Sequence, residues 1–110
     1  MFLELPFPEP QAKADFVVKG WGTRRGEDAL IYTIPNRKNP TKPSENGITV
    51  SEFEAAFAQL KSSGQFTRAW FNSELPACAG EGSCNFTSIG GIFELLSLAR
   101  YAGRGVYERV

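Results

Sequence analysis

Hydrophobic positions change their spacing along this chain, and the changes mark out its elements. Residues 16–21 (FVVKGW) form a short β-prone run, and TRRGED supplies a turn centred on Gly26. Residues 29–34 (ALIYTI) are β-branched and aromatic, which predicts the clearest strand. The two runs fit a hairpin, with Trp21 and Tyr32 among its side chains. Pro35 removes a ladder donor and stops the second strand. The stretch that follows, NRKNPTKPSENG, has no apolar residue except proline and predicts a surface loop.

A helix is signposted next, over 49–63. Thr49 and Glu52 fit a capping box, with Ile48 and Phe53 at the staple positions. Phe53, Ala56, Phe57 and Leu60 recur with helical spacing, and Gly64 suits the left-handed residue that ends a helix. QFTRAWFN then alternates, with Phe66, Arg68 and Trp70 on one side and Thr67, Ala69 and Phe71 on the other, which predicts a central third strand. SELPACAGEGSC is expected to be an irregular crossing. A second helix is expected over 86–101, capped by Asn85 or Thr87. Ile89, Ile92, Phe93, Leu95, Leu96, Leu98 and Ala99 fill nearly every face of it, which marks a buried helix. Gly103 and Gly105 end it, and GVYERV supplies a last strand through Val106 and Tyr107. This order predicts an α+β fold, with a small, mostly antiparallel sheet of about four strands and two helices packed on one face. An exposed sheet edge or helix face in such a fold invites a homodimer.

A length of 110 residues suits one domain. It divides into an extended arm over 1–15 and a domain over 16–110. Prolines at 6, 8 and 10 deny the arm a helix, and Phe2, Leu3, Leu5 and Phe7 make it adhesive toward its own domain or a neighbouring subunit. Apolar content of 42% and charged content of 22% are ordinary for a soluble globular chain. No run approaches the roughly 20 apolar residues of a membrane span, and the first residues lack a signal-peptide pattern. A cytoplasmic location without a membrane partner is therefore expected.

The formal charge is zero but unevenly spread. Residues 19–43 carry six basic against two acidic groups, giving +4, while 1–18 and 44–110 each carry −2. Arg24, Arg25, Arg37, Lys38 and Lys42 interleave with Trp21 and Tyr32. Basic groups pair phosphates and aromatic faces stack bases, so these residues are candidates for a nucleic-acid or acidic-partner surface. A solvated strand-and-loop region would produce the same list.

Candidate chemistry is sparse. The chain has no histidine, which removes the commonest general base and metal ligand. Glu27–Asp28 and Glu52–Glu54 sit where solvated or capping roles suffice. GWGTRRG lacks the lysine and hydroxyl of a phosphate loop. Cys78 and Cys84 enclose five residues and make a poor zinc site without histidine, so two free thiols are expected. No catalytic residue, metal or cofactor is assigned. Gly90 and Gly91 each cost about 1 kcal/mol relative to alanine inside a helix. They point either to close packing or, with Thr87 and Ser88, to a bare helix start where amides meet an anion or another ligand. Arg68, Trp70, Arg100, Tyr101, Arg104, Tyr107 and Arg109 form a second basic and aromatic set. Within it, an Arg68 sharing a face with Phe66 and Trp70 would need a carboxylate such as Glu94.

YTIPN before a basic loop, then GQFTRAWFN and CNFTSIGGIFELL, resemble the small orphan proteins carried on integron gene cassettes of environmental bacteria. The resemblance spans residues 29–96. It implies a compact, often oligomeric protein and brings no function with it. Two readings stay open. One is a non-catalytic, homodimeric binding module whose basic loop surface contacts an acidic partner or nucleic acid. The alternative is a small-molecule-binding protein or small enzyme with an apolar cleft between the second helix and the sheet. The residues suit binding better than catalysis.

Overall fold

The computed structural model describes residues 17–34 and 44–110. Strands β1 (Val17–Arg24), β2 (Glu27–Ile34) and β3 (Ser44–Thr49) form one antiparallel sheet in the order β1-β2-β3. Arg24 faces Glu27, so Arg25 and Gly26 alone make the hairpin turn. Trp21 faces Leu30, and Val18 faces Tyr32. β2 lies in the middle, and its Ala29, Leu30, Ile31 and Tyr32 are buried. That placement explains why its apolar run is nearly continuous rather than alternating.

β3 corrects the expectation of one long loop. SENGIT has no apolar alternation, yet it pairs with β2 from Ala29–Thr49 to Ile34–Ser44. The backbone groups along the free side of β2 require partners whatever the side chains of the neighbouring strand. The remainder of the expected loop, including Arg37, Lys38 and Lys42, lies outside the described residues, as does the expected arm over 1–15.

Helix α1 (Val50–Ser63) begins as expected. The Thr49 hydroxyl accepts from the Glu52 amide at 3.1 Å, and the Glu52 carboxylate accepts from the Thr49 amide at 2.8 Å. It ends on Gly64 at φ 85°, whose amide donates to the Leu60 carbonyl at 2.9 Å. A β-carbon at Gly64 would meet nothing within 4 Å, so only backbone conformation is at stake. Gly64→Ala is expected to lower the urea midpoint by an amount equivalent to about 1 kcal/mol. An unchanged midpoint would show that the helix end relaxes without cost.

The expected central third strand is corrected. Only β4 (Gln65–Thr67) is extended, and α2 (Arg68–Glu74) follows at once. The Thr67 hydroxyl accepts from the Trp70 amide at 3.1 Å and caps α2. The expected irregular crossing contains α3 (Pro76–Glu81), started by a proline whose missing donor costs nothing at a first helical position. Helix α4 (Asn85–Leu95) is shorter than the expected 86–101, and neither Asn85 nor Thr87 caps it; Cys84 holds that position without a side-chain bond. The chain turns at Ser97, at φ 60°, and continues as β5 (Ala99–Gly103) and β6 (Val106–Arg109). Gly103 and Gly105 therefore belong to a hairpin rather than to a helix end.

β4, β6 and β5 make a second antiparallel sheet in that order. The fold is α+β, and the described residues build two three-stranded sheets and four helices rather than one sheet and two helices. α1 and α4 touch strands of both sheets. The core between them is aromatic, with Phe66 at its centre. Its ring centroid lies 4.9 Å from Phe86, 5.8 Å from Phe93 and 6.4 Å from both Phe71 and Tyr107. Among the described residues, no helix is long and apolar enough to cross a membrane.

Candidate functional site

Arg24 and Arg25, expected on a basic outer surface, are at the surface but engaged there by carboxylates. The hairpin turn puts Arg25 at φ 50°, a conformation unfavourable for a side chain of this size. There its guanidinium forms a two-point pair with Glu52, Nε to Oε2 at 2.8 Å and Nη2 to Oε1 at 2.7 Å. It also donates to the Gly47 carbonyl at 2.9 Å and to Glu81. Arg24 reaches Glu81 at 3.1 Å and Glu45 at 3.1 Å, and Lys19 pairs with Glu45 at 2.6 Å. The described members of the positive block, Lys19, Arg24 and Arg25, are thus answered by carboxylates from β3, α1 and α3.

Electrostatics follow the geometry. The bond to Glu52 raises the Arg25 pKa against the opposing effect of burial, so this guanidinium stays charged. Burial works against the Glu52 carboxylate, but the Arg25 guanidinium and the Thr49 amide outweigh it and hold its pKa below the usual range. Glu45 is likewise held low, by Lys19 first and then Arg24.

A second polar group lies beneath. Tyr32, expected to offer a stacking face, is buried, and its hydroxyl donates to the Asn85 side-chain oxygen. Asn85 Nδ2 donates to the Cys78 carbonyl at 2.9 Å, and Asn46 Nδ2 donates to Cys84 Sγ at 3.2 Å. Burial, followed by the nearby Cys84, pushes the Tyr32 pKa up, and burial does the same to the Cys78 thiol. Both therefore keep their protons at neutral pH, so neither is an activated base or nucleophile. Cys78 and Cys84 are free, and their surroundings fix the start of α4 by hydrogen bonding.

Trp21 shares the edge of a surface recess with Lys19 and Arg24, but most of its apolar neighbours lie elsewhere. It lies three residues from Arg24 on one strand, hence on the opposite face. There it borders an apolar groove of about 290 Å³ between β1–β2, α1 and the end of α4. Val50, Phe53, Phe57, Ile92 and Leu96 line the groove, with the buried Leu30 and Phe93 beneath. Glu54 is its single charged lining residue among those described. Phe57 of α1 and Phe93 of α4 meet at 6.1 Å and hold the two helices at this spacing. Val50 and Leu96 carried a weak signal: each is an apolar residue at a helix end, where the surrounding helix does not bury it.

The residues expected around a helix start are dispersed. Gly90 and Gly91 come after the first four positions of α4, past the amides that a helix leaves free. A β-carbon on Gly90 would lie 2.1 Å from the Tyr107 ring, so this glycine admits the second sheet to the helix. Ser88 is buried. Thr87 alone of the four borders a surface cleft, together with Arg68 and Arg104. Among the described residues, no group of three or more histidine, cysteine or acidic side chains is arranged to hold a metal. Glu45 and Glu81, which close the ion-pair group, had no signal beyond their charge. No protein-family model, curated protein or solved structure matches this chain.

Proposed function

We propose that this chain is a binding protein whose groove between β1–β2, α1 and α4 takes a small, neutral, apolar ligand. One observation carries the reading. Of the six large apolar side chains exposed among the described residues, Trp21 (52%), Val50 (39%) and Leu96 (40%) border this groove. Contiguous exposed apolar surface is uncommon on a protein that has no use for it. The volume is at the lower end of the roughly 300–1,000 Å³ of small-molecule sites. Glu54 at the rim disfavours an anion.

Fluorescence titration with the neutral dye N-phenyl-1-naphthylamine tests the reading. Dye emission should rise on binding, and Leu96→Glu should weaken binding at least about tenfold by placing a charge at the rim. No binding, or equal binding to the variant, would overturn the groove as a ligand site. Light scattering on both proteins separates a different occupant. A dimer that Leu96→Glu dissociates would mean that a second copy covers this face.

The basic-surface reading is a proposal for Arg37, Lys38 and Lys42. The ion pairs of Lys19, Arg24 and Arg25 count against those residues as phosphate ligands. A salt titration against single- and double-stranded nucleic acid tests it, and no binding at low salt removes it.

A further inference from the structure

A second cleft, of about 730 Å³, opens between the start of α2, the segment before α4 and the β5–β6 hairpin. Thr67, Arg68, Ser83, Thr87, Tyr101 and Arg104 border it, and among the described residues no acidic one does. Sheet register brings the two arginines together. Thr67 faces Val106, and the next backbone bond runs from the Arg68 amide to the Gly105 carbonyl at 3.0 Å. The hairpin tip that carries Arg104 is thereby held beside the first residue of α2.

Arg68 is held in place without being neutralised. Its Nη1 donates to the Ser83 carbonyl at 3.0 Å, and its guanidinium carbon lies 4.7 Å from the centre of the Phe86 ring. These contacts fix a planar group that has five donors and engage one of them. Among the described residues, salt bridges neutralise Arg24, Arg25 and Arg100 but neither Arg68 nor Arg104. A fork of donors held over a ring, a second cation on the same rim and the Thr67 and Ser83 hydroxyls suit an oxyanion, while the Thr87 hydroxyl is given to the Cys84 carbonyl. The cleft is much larger than an inorganic anion, and the Tyr101 ring and Val106 give it an apolar wall.

We propose that this cleft binds a small organic phosphate, the phosphate between Arg68 and Arg104 and its planar or apolar portion against Tyr101. The site is separate from the apolar groove and does not depend on it.

Isothermal titration of the full chain with phenyl phosphate, inorganic phosphate and phenol tests the proposal. Phenyl phosphate should bind tightest and bind more weakly as salt is raised. Arg104→Gln should weaken it roughly tenfold or more, the usual effect of losing a charge-assisted contact. Arg100→Gln, on the neighbouring strand and paired with Glu108, should leave it unchanged. Arg68→Gln should weaken binding more than Arg104→Gln, since Arg68 is the guanidinium already held in place. Arg104 is exposed, so its variant decides the question even if Arg68→Gln folds poorly. Absence of phenyl phosphate binding at millimolar concentration, or binding indifferent to Arg104→Gln, would overturn the site. Phenol binding as well as phenyl phosphate would remove the anion from the proposal, and inorganic phosphate binding as tightly would remove the organic portion.

Discussion

Gly90→Ala is expected to destabilise the protein by about 3 kcal/mol, an overpacking effect at the upper end of the usual range. For a domain of this size that is a fall in Tm of roughly 15 °C. The sign is the informative part. Inside a helix, alanine is ordinarily favoured over glycine by about 1 kcal/mol, so propensity alone predicts a gain. Here the new methyl would lie 2.1 Å from Tyr107 Cε2, on a fully buried ring. That ring is hemmed in by Phe86 at 5.5 Å and Tyr101 at 5.6 Å, so it has little room to retreat. Tyr107→Leu in the same chain should recover part of the loss, giving a favourable coupling in a double-mutant cycle. A stabilised Gly90→Ala protein would mean that α4 and β6 do not approach this closely.

Glu52→Gln is expected to cost about as much, roughly 3 kcal/mol at neutral pH. It leaves the Arg25 guanidinium without its two-point partner and weakens the capping box of α1. The Glu52 and Arg25 side chains are 10% and 22% exposed, which places the loss near the lower end of that for a broken buried pair. The pH dependence has a definite direction. The folded pKa of Glu52 lies below its unfolded value. Its contribution is therefore complete above the unfolded pKa, roughly 4, and disappears as pH falls through the folded value. Urea unfolding at pH 7 and pH 3 should show a smaller difference for Glu52→Gln than for the parent. Equal differences would mean that Glu52 is not the carboxylate that links this contact to acid.

Several features were legible because local chemistry decides them. Thr49 and Glu52 need only their own four residues to make a capping box, and Gly64 needs only its own backbone. β2 announced itself because a strand covered on both faces is apolar nearly throughout. The misreadings share a physical origin. β3 was hidden because its pairing is set by the open side of β2, not by side-chain alternation. Thr67 reads equally as a β-branched strand residue or as a cap, and the hydroxyl of a cap cannot be told from sequence until the chain turns after it. SELPACAGEGSC looks irregular because of its proline, glycines and cysteines, although a first helical position tolerates Pro76. The end of α4 was missed because Leu96, Leu98 and Ala99 are as apolar as the helix before them, while Ala99 serves a strand.

The candidate surfaces were harder to read for a different reason. Arg24 and Arg25 make a basic cluster in sequence, but Glu45, Glu52 and Glu81 arrive from elsewhere to meet them. Arg68 and Arg104 are far apart in sequence and become neighbours only through the register of β4 on β6. Tyr32 and Trp21 are both aromatic and sit on facing strands, yet one is sealed in the core and the other borders the groove. In each case the deciding partner comes from a distant segment.

The sheets differ in how their strands meet. β1, β2 and β3 follow one another along the chain, so the first sheet closes through short excursions. β4 must instead find β6, with three helices and β5 intervening. Closing that excursion is entropically slower than closing a hairpin. During synthesis the Phe66 ring therefore lacks its strand partner until residues 106–109 have emerged, and the aromatic half of the interior is the half most open to misassociation in the interval.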